Sequence, residues 1–351
     1  MNPTFWRGKR VLITGHTGFK GSWLSALLLG YGADVHGLSL SPDTNPALFD
    51  QLGLARRLDH AIGDIRDAAL VSTRIRNVRP EVVLHMAAQP LVRRSYRDPV
   101  ETWSTNVMGT AHVLEALRNW QDPCAVVVVT TDKVYENREW QHPYREEDRL
   151  GGRDPYSASK AGTELLVESY RRSFFAGGPV RLATARAGNV IGGGDWAEDR
   201  IVPDLARARA NGAILGVRNA QAVRPWQHVL DPLTGYLLLA ERLMAGDPKA
   251  ETAVNFGPEA ADQRSVGDLV EAAGLHWPGH WQDRGDPAAP HEAGRLVLNI
   301  ERARHLLGWA PRWHFPRAVA ETIGWYRDVA AGADPRTITE SQIAAFEESV
   351  A

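Results

Sequence analysis

Val11-Leu12-Ile13-Thr14-Gly15-His16-Thr17-Gly18-Phe19-Lys20-Gly21 is the stretch that decides the fold. The apolar run Val11 to Ile13 predicts a strand covered on both faces, as in a parallel sheet. Gly15, Gly18 and Gly21 follow at three-residue spacing. At these places a side chain would obstruct a tight turn, the approach of a ligand to the backbone, and the packing of helix on strand. The helix predicted over Gly21 to Leu29 points free N–H groups and a positive dipole end at whatever lies above the turn. A pyrophosphate suits that position.

Outward from this stretch, 351 residues allow two lobes. A hydrophobic fraction of 44% is ample for a core. The net charge of −2, with no long basic run, argues against nucleic acid or a membrane surface as partner. Cys124, the one cysteine, permits no internal disulfide and suits a reducing cytoplasm. Neither a signal-peptide core nor an apolar run of the ~18 residues a span needs is seen.

Asp34 to Leu40 reads as a second strand. Ser39 stands where many such folds place an acid for the ribose hydroxyls, with neither acid nor arginine adjacent. NAD is favoured over NADP because nothing nearby would pair a 2′-phosphate. Ala61 to Asp67 reads as a strand end and helix start, where Asp64 either accepts from an adenine amino group or, like Asp67, caps the helix. Glu81 to Gln89 is the fourth strand and its exit, with the small pair Ala87-Ala88 leaving room for a cofactor backbone. Gln89 to Tyr96 is a polar loop on the ligand face, carrying Ser95. Pro99 to Trp120 is a long amphipathic helix with Asn106 near its middle, where a buried asparagine would support the active-site loop or satisfy backbone.

The run Ala125 to Val129 marks the sheet centre, and Thr131, Asp132 and Lys133 cluster at its carboxyl end. Pro155 opens a further helix. On it Tyr156 and Lys160 are four apart and share a face. Pro179 to Arg186 is the sixth strand. The glycine-rich stretch Ala187 to Trp196 then leaves the sheet for a second lobe. The first lobe is expected to span 1–186 and 229–260, the second 187–228 and 261–351. The fold class is α/β, a Rossmann-type doubly wound parallel sheet with a smaller, discontinuous α/β substrate-binding lobe.

With these residues read, the chain resembles the extended short-chain dehydrogenase/reductases from Thr14 to about Tyr326. Within them it is similar to the CDP-glucose branch of the nucleotide-sugar 4,6-dehydratases. Thr14 to Gly21 and Tyr156-Ser157-Ala158-Ser159-Lys160 are the general motifs. Thr131 to Trp140, Arg186 to Trp196, and Arg224-Pro225-Trp226-Gln227-His228-Val229 are the more specific ones. Related dehydratases usually carry Asp-Glu after the catalytic hydroxyl residue, and the lysine at Lys133 marks the CDP-glucose branch.

The resemblance implies NAD as cofactor, held by Gly15, Thr17, Gly18, Phe19, Lys20, Gly21, Ser39, Asp64, Ile65, Ala87, Ala88, Asn106, Tyr156 and Lys160. It implies CDP-glucose as substrate, bound by Gln89, Ser95, Asn189, Arg200, Arg224, His291 and Arg295, and no metal. Arg224 is the first candidate for the diphosphate and Arg200 the second, the alternative for Arg200 being an ion pair with Glu198 or Asp199. Tyr156 as phenolate would take the 4-hydroxyl proton, Thr131 bonding the same oxygen. An ordinary tyrosine titrates near ~10, so about 4 kcal/mol must come from Lys160 and the nicotinamide charge. Asp132 would protonate the departing 6-hydroxyl. Lys133 would take the C5 proton or else stabilise an enolate.

A GDP-mannose or TDP-glucose dehydratase, a 4-epimerase lacking the elimination step, and a non-catalytic cofactor-sensing protein are the competing readings. The family's pairing of the helices near 99–120 and 155–172 implies a homodimer, with a tetramer as the higher assembly.

Overall fold

The computed structural model describes residues 2–285 and 294–349. Seven parallel strands form one sheet: β1 (Arg10–Thr14), β2 (Asp34–Ser39), β3 (Asp59–Ile62), β4 (Val82–His85), β5 (Cys124–Val129), β6 (Val180–Ala187) and β7 (Ala253–Phe256). Their spatial order is β7-β6-β5-β4-β1-β2-β3. The order reverses between β1 and β4, so a crevice opens above their carboxyl ends, where ligands bind in sheets of this kind. β4 and β5 are buried at every position, which is why they read as uninterrupted apolar runs.

Helices cover both faces. On one face lie α1 (Phe19–Gly30), the helix Leu230–Met244 and the C-terminal helices, sharing a core with Trp6, Trp23 and Trp325. On the other lie the helices Ala68–Val78, Gly109–Leu117 and Pro155–Tyr170, packed on Leu12, Val83, Val126 and Leu182. The expected single helix over 99–120 is Pro99–Trp103, a π-helical turn Ser104–Met108, and Gly109–Leu117.

Past β6 the chain forms three two-stranded pieces. Val190–Ile191 pairs with Gln227–His228, Val223–Arg224 with Arg264–Ser265, and Leu215–Val217 with Trp281–Asp283. The helices Ile201–Ala210, Val266–Gly274 and Phe315–Ala330 back them. The last helix, Pro335–Glu348, packs against α1 and links to the nucleotide side through Glu340 on Arg57 at 2.9 Å. We propose two interleaved lobes on this basis, divided as the sequence reading divides them except that this last helix bridges them.

Candidate active site

A cleft of about 720 Å³ runs along the carboxyl ends of the strands, a size that suits a small-molecule site. Gly15 has φ +78°, and a Cβ there would lie 2.7 Å from the Ala87 nitrogen. At Gly21 a Cβ would lie 2.1 Å from the Gly15 carbonyl oxygen. Only glycine lets the helix sit this close to the turn. Gly18 is exposed and caps α1 without a side chain, so the first N–H groups of the helix face the cleft. Thr17 closes the turn onto β2, its hydroxyl 2.7 Å from Ser39 Oγ and donating to the Leu40 carbonyl at 2.9 Å.

The strand exits bring the polar residues together. Thr131, Asp132 and Lys133 sit in a short 3-10 turn after β5, and Tyr156 and Lys160 face them from the first turns of the helix Pro155–Tyr170. Asp154 caps that helix, accepting from Ser157 N. Lys160 Nζ donates to the Val129 carbonyl at 3.1 Å. Burial lowers its pKa to about 8. Asp132 is buried and accepts from Thr131 Oγ1 at 2.9 Å. Burial raises its carboxyl pKa against the pull of Lys133, Thr131, Arg224 and Lys20. A carboxyl held up in this way is disposed to give a proton rather than stay ionised.

Tyr156 departs from the sequence expectation. Burial pushes its phenol up to about 12, opposed by its side-chain interaction with Thr131, and Lys160 is not among its main influences. Desolvation outweighs the ammonium because the latter is turned to the Val129 carbonyl. Lys20 departs too. It reaches the end of the cleft that holds Asp132 and Lys160, where burial and the Arg200 and Lys160 cations lower it to about 7, with Asp132 and Asp195 acting the other way.

Thr17, Phe19, Lys20, Ser39, Asp64, Ile65, Ala87, Ala88, Asn189, Arg200 and Arg224 line the cleft with the glycines and the catalytic cluster. Asp64 is held by Arg66, whose Nε lies 2.8 Å away, while Asp67 caps the helix Ala68–Val78. Arg200 pairs with Asp195 at 2.9 Å instead of Glu198 or Asp199. Asp199 is taken by Arg218 at 2.6 Å and Arg93 at 3.5 Å. Arg224 is nearly buried in the cleft wall and donates to the Val223 carbonyl at 3.1 Å.

Gln89, Ser95 and Asn106 stand behind the wall, a correction to the expectation of direct contact. Asn106 Oδ1 accepts from Gln89 N at 2.8 Å, and its Nδ2 donates to Ser159 Oγ at 2.8 Å. Gln89 Nε2 donates to Thr102 Oγ1 at 2.9 Å. Ser95 Oγ accepts from Tyr156 N at 3.1 Å, fixing the start of the catalytic helix. Arg295 also lies off the cleft lining, its Nη2 on Gln263 Oε1 at 3.3 Å beside the Val223 strand. His291 lies outside the described residues.

The sequence reading missed Asp43, which lines the cleft from the loop after β2, and Asp195, Trp196 and Arg218, which line it from the chain past β6. Asp43 gave a signal, an acid four residues past Ser39. Arg218 gave none. Among the described residues no group of three or more His, Cys, Asp or Glu is arranged to hold a metal.

The seven-stranded parallel sheet, with the cleft at its carboxyl ends, is the fold of the extended short-chain dehydrogenase/reductase class. The family model described as GDP-mannose 4,6 dehydratase matches residues 12–322, and the chain belongs to that family of nucleotide-sugar 4,6-dehydratases. It is 44% identical to a Salmonella typhimurium CDP-glucose 4,6-dehydratase over 99% of this chain and 98% of the relative. It is 34% identical to a Streptomyces antibioticus dTDP-glucose 4,6-dehydratase over 78% of this chain and 77% of that one. Among solved structures, the Streptomyces venezuelae dTDP-glucose 4,6-dehydratase DesIV, with NAD and TYD bound, superposes with TM-score 0.76 at 27% identity. That match covers 93% of this chain and 99% of that one.

Proposed function

We propose that this protein converts CDP-glucose to CDP-4-keto-6-deoxyglucose and water. The observation that carries the elimination is Asp132, buried with a raised carboxyl pKa, next to Lys133 and across from Tyr156. An epimerase has no use for an acid and a base in addition to the tyrosine. The cytidine nucleotide rests on the likeness to the Salmonella enzyme.

The glycine turn, with open backbone at Gly18 and no Cβ at Gly15 or Gly21, fits a dinucleotide pyrophosphate. Bound there, NAD would supply a reversible store for the hydride leaving sugar C4 and returning to C6. Asp43 lines the cleft four residues past Ser39, and a carboxylate there would favour a free ribose over a 2′-phosphate, since two anions would repel. Tyr156 takes the 4-hydroxyl proton while Thr131 orients the same oxygen. Burial holds the Tyr156 phenol up at about 12, against the lowering by Thr131 and Arg200, and the positive charge of bound NAD would add to that lowering. Once C4 is a ketone the C5 proton is acidic. Lys133 accepts it, Asp132 gives a proton to the 6-hydroxyl, and water leaves; Lys133 then returns a proton to C5 as C6 is reduced, and the proton held by Tyr156 restores Asp132 through solvent. Arg224 and Arg200 hold the diphosphate.

We further propose a homodimer. Val100, Trp103, Met108 and Leu165 expose apolar surface on neighbouring helices of one face, Val100 being 80% exposed. Among the described residues no helix is long and apolar enough to cross a membrane. Incubation with CDP-glucose and NAD, followed by mass spectrometry of the sugar nucleotide, tests the reaction. Loss of one water is expected, and unchanged mass would contradict it.

A further inference from the structure

Lys160 is followed four residues later, on the same helical face, by a buried carboxylate that the reaction does not use. Glu164 is only 4% exposed. Its Oε1 accepts from Thr130 Oγ1 at 2.5 Å, and its Oε2 from Thr184 Oγ1 at 2.8 Å and Arg186 Nη2 at 2.8 Å. Thr130 lies between Val129, whose carbonyl takes the Lys160 ammonium, and Thr131 of the catalytic cluster. One carboxylate therefore ties together the catalytic helix, the exit of β5 and the middle of β6. The tie continues upward. Arg186 Nη1 donates to Tyr135 Oη at 2.9 Å, and Tyr135 donates to Asn255 of β7 at 2.7 Å.

We propose that Glu164 is a positioning residue for the reaction: from beneath the cleft it fixes the helix carrying Lys160 against the strand exit carrying Thr131, and its negative charge keeps the Lys160 ammonium protonated. A buried carboxylate bound by three donors stays ionised, and its pKa is indeed lowered, chiefly by Arg186 against the effect of burial. Glu164 is also the one charge that raises Lys160 against its desolvation. The other charged or titratable groups around this pair are Tyr156 on the same helix, Asp132 after β5, Lys20 on α1, His85 on β4, and Arg186 and Arg171 on the far side of Glu164. None of the groups on the lysine side carries a negative charge except Asp132, and burial favours its neutral form. The inference rests on the reading of Lys160 as part of the reactive centre.

The test is the pH dependence of kcat for the NAD-loaded wild type, Glu164→Gln and Glu164→Asp with CDP-glucose. In Glu164→Gln the alkaline limb, where Lys160 loses its proton, is expected to move down by roughly 1 unit or more, the scale on which a neighbouring opposite charge acts. Glu164→Asp keeps the charge with poorer geometry, so its kcat falls while its limb stays. A purely structural role would lower kcat by the same factor at every pH and leave the limb in place, and that result would overturn the proposal. Should Glu164→Gln fail to fold, Thr130→Val carries the test. Loss of that tie is expected to cut kcat about tenfold at unchanged KM, on the scale of one hydrogen bond to a charged group. Unchanged kcat would overturn the proposal. A wild type inert on CDP-glucose contradicts the functional reading and takes this one with it. An active wild type with an unmoved Glu164→Gln limb contradicts this one alone.

Discussion

At the scale of single residues, the elimination separates the roles of neighbours. Asp132 is buried and bonded to Thr131, whereas Lys133 is half-buried and faces the cleft. If Lys133 is the C5 base, Lys133→Met should retain hydride removal at C4 but lose exchange of the C5 proton with solvent by at least about 100-fold, the lower end of a general base's contribution. Deuterium incorporation from D₂O into the sugar measures it, and exchange at the wild-type rate would assign the lysine to enolate stabilisation. These residues were legible in the sequence because their relations are local: Thr131 to Lys133 are consecutive, and Tyr156 and Lys160 are one helical turn apart. The direction of the Tyr156 pKa was not legible. It depends on how completely the fold buries the phenol and on where the Lys160 ammonium turns, and both follow from contacts made far along the chain.

At the scale of elements, the π-helical turn at Ser104–Met108 has an identifiable cause. Asn106, buried to 1%, bonds both backbone groups of Gln89 and the Ser159 hydroxyl, so the wide turn is held by the loop after β4 and by the catalytic helix. Asn106→Ala leaves several of these buried groups unpaired and should destabilise the fold by about 2–4 kcal/mol, at 1–3 kcal/mol for each unsatisfied group. Urea denaturation measures this, and a loss below about 1 kcal/mol would show that the turn stands without its asparagine. The apolar periodicity of 99–120 reads as one uninterrupted helix because the interruption is imposed from outside it. The central strands were legible because burial on both faces demands continuous apolar runs. The helix Ile201–Ala210, with Arg207 and Arg209 in its last turn, and the bridging helix Pro335–Glu348 were not, since both mix charge into weak apolar patterns.

At the scale of the molecule, three histidines among the described residues are buried and pushed toward the neutral form. Desolvation, aided by neighbouring charge, lowers His16 to about 4 and both His85 and His228 to about 3. His85 is closed between Thr14 at 2.6 Å and Thr110 at 2.9 Å, at the junction of β1 and β4 beneath the cleft. Unfolded histidine titrates near ~6.5, so below that pH the unfolded chain binds protons that the folded one refuses. Stability is expected to rise with pH across this window and to be lost as pH falls from about 6.5 toward 4. The cost is about 2 kcal/mol for each histidine at pH 5. His314 acts oppositely, its pKa raised by Asp262, so its contribution is present below ~6.5 and fades as pH rises through its folded value. It is largely exposed, which keeps that term small. Thermal unfolding at pH 7 and pH 5 checks the balance: a clear fall in Tm at pH 5 is predicted, and an equal or higher Tm would contradict it. The departure of the chain from the sheet after β6 was legible at this scale because the glycine-rich stretch there breaks the strand pattern abruptly. The acids and arginines that line the cleft past β6 were not, because Asp195, Asp199 and Arg218 meet it only through folding of that part of the chain.

The central claim is an internal oxidation, elimination and reduction on a cytidine-linked hexose. Its most direct test is the mass of the sugar nucleotide after incubation of the protein with CDP-glucose and NAD, read together with absorbance of reduced cofactor. A product lighter by one water, with no net accumulation of NADH, is expected. A product of unchanged mass, or stoichiometric NADH, would contradict it.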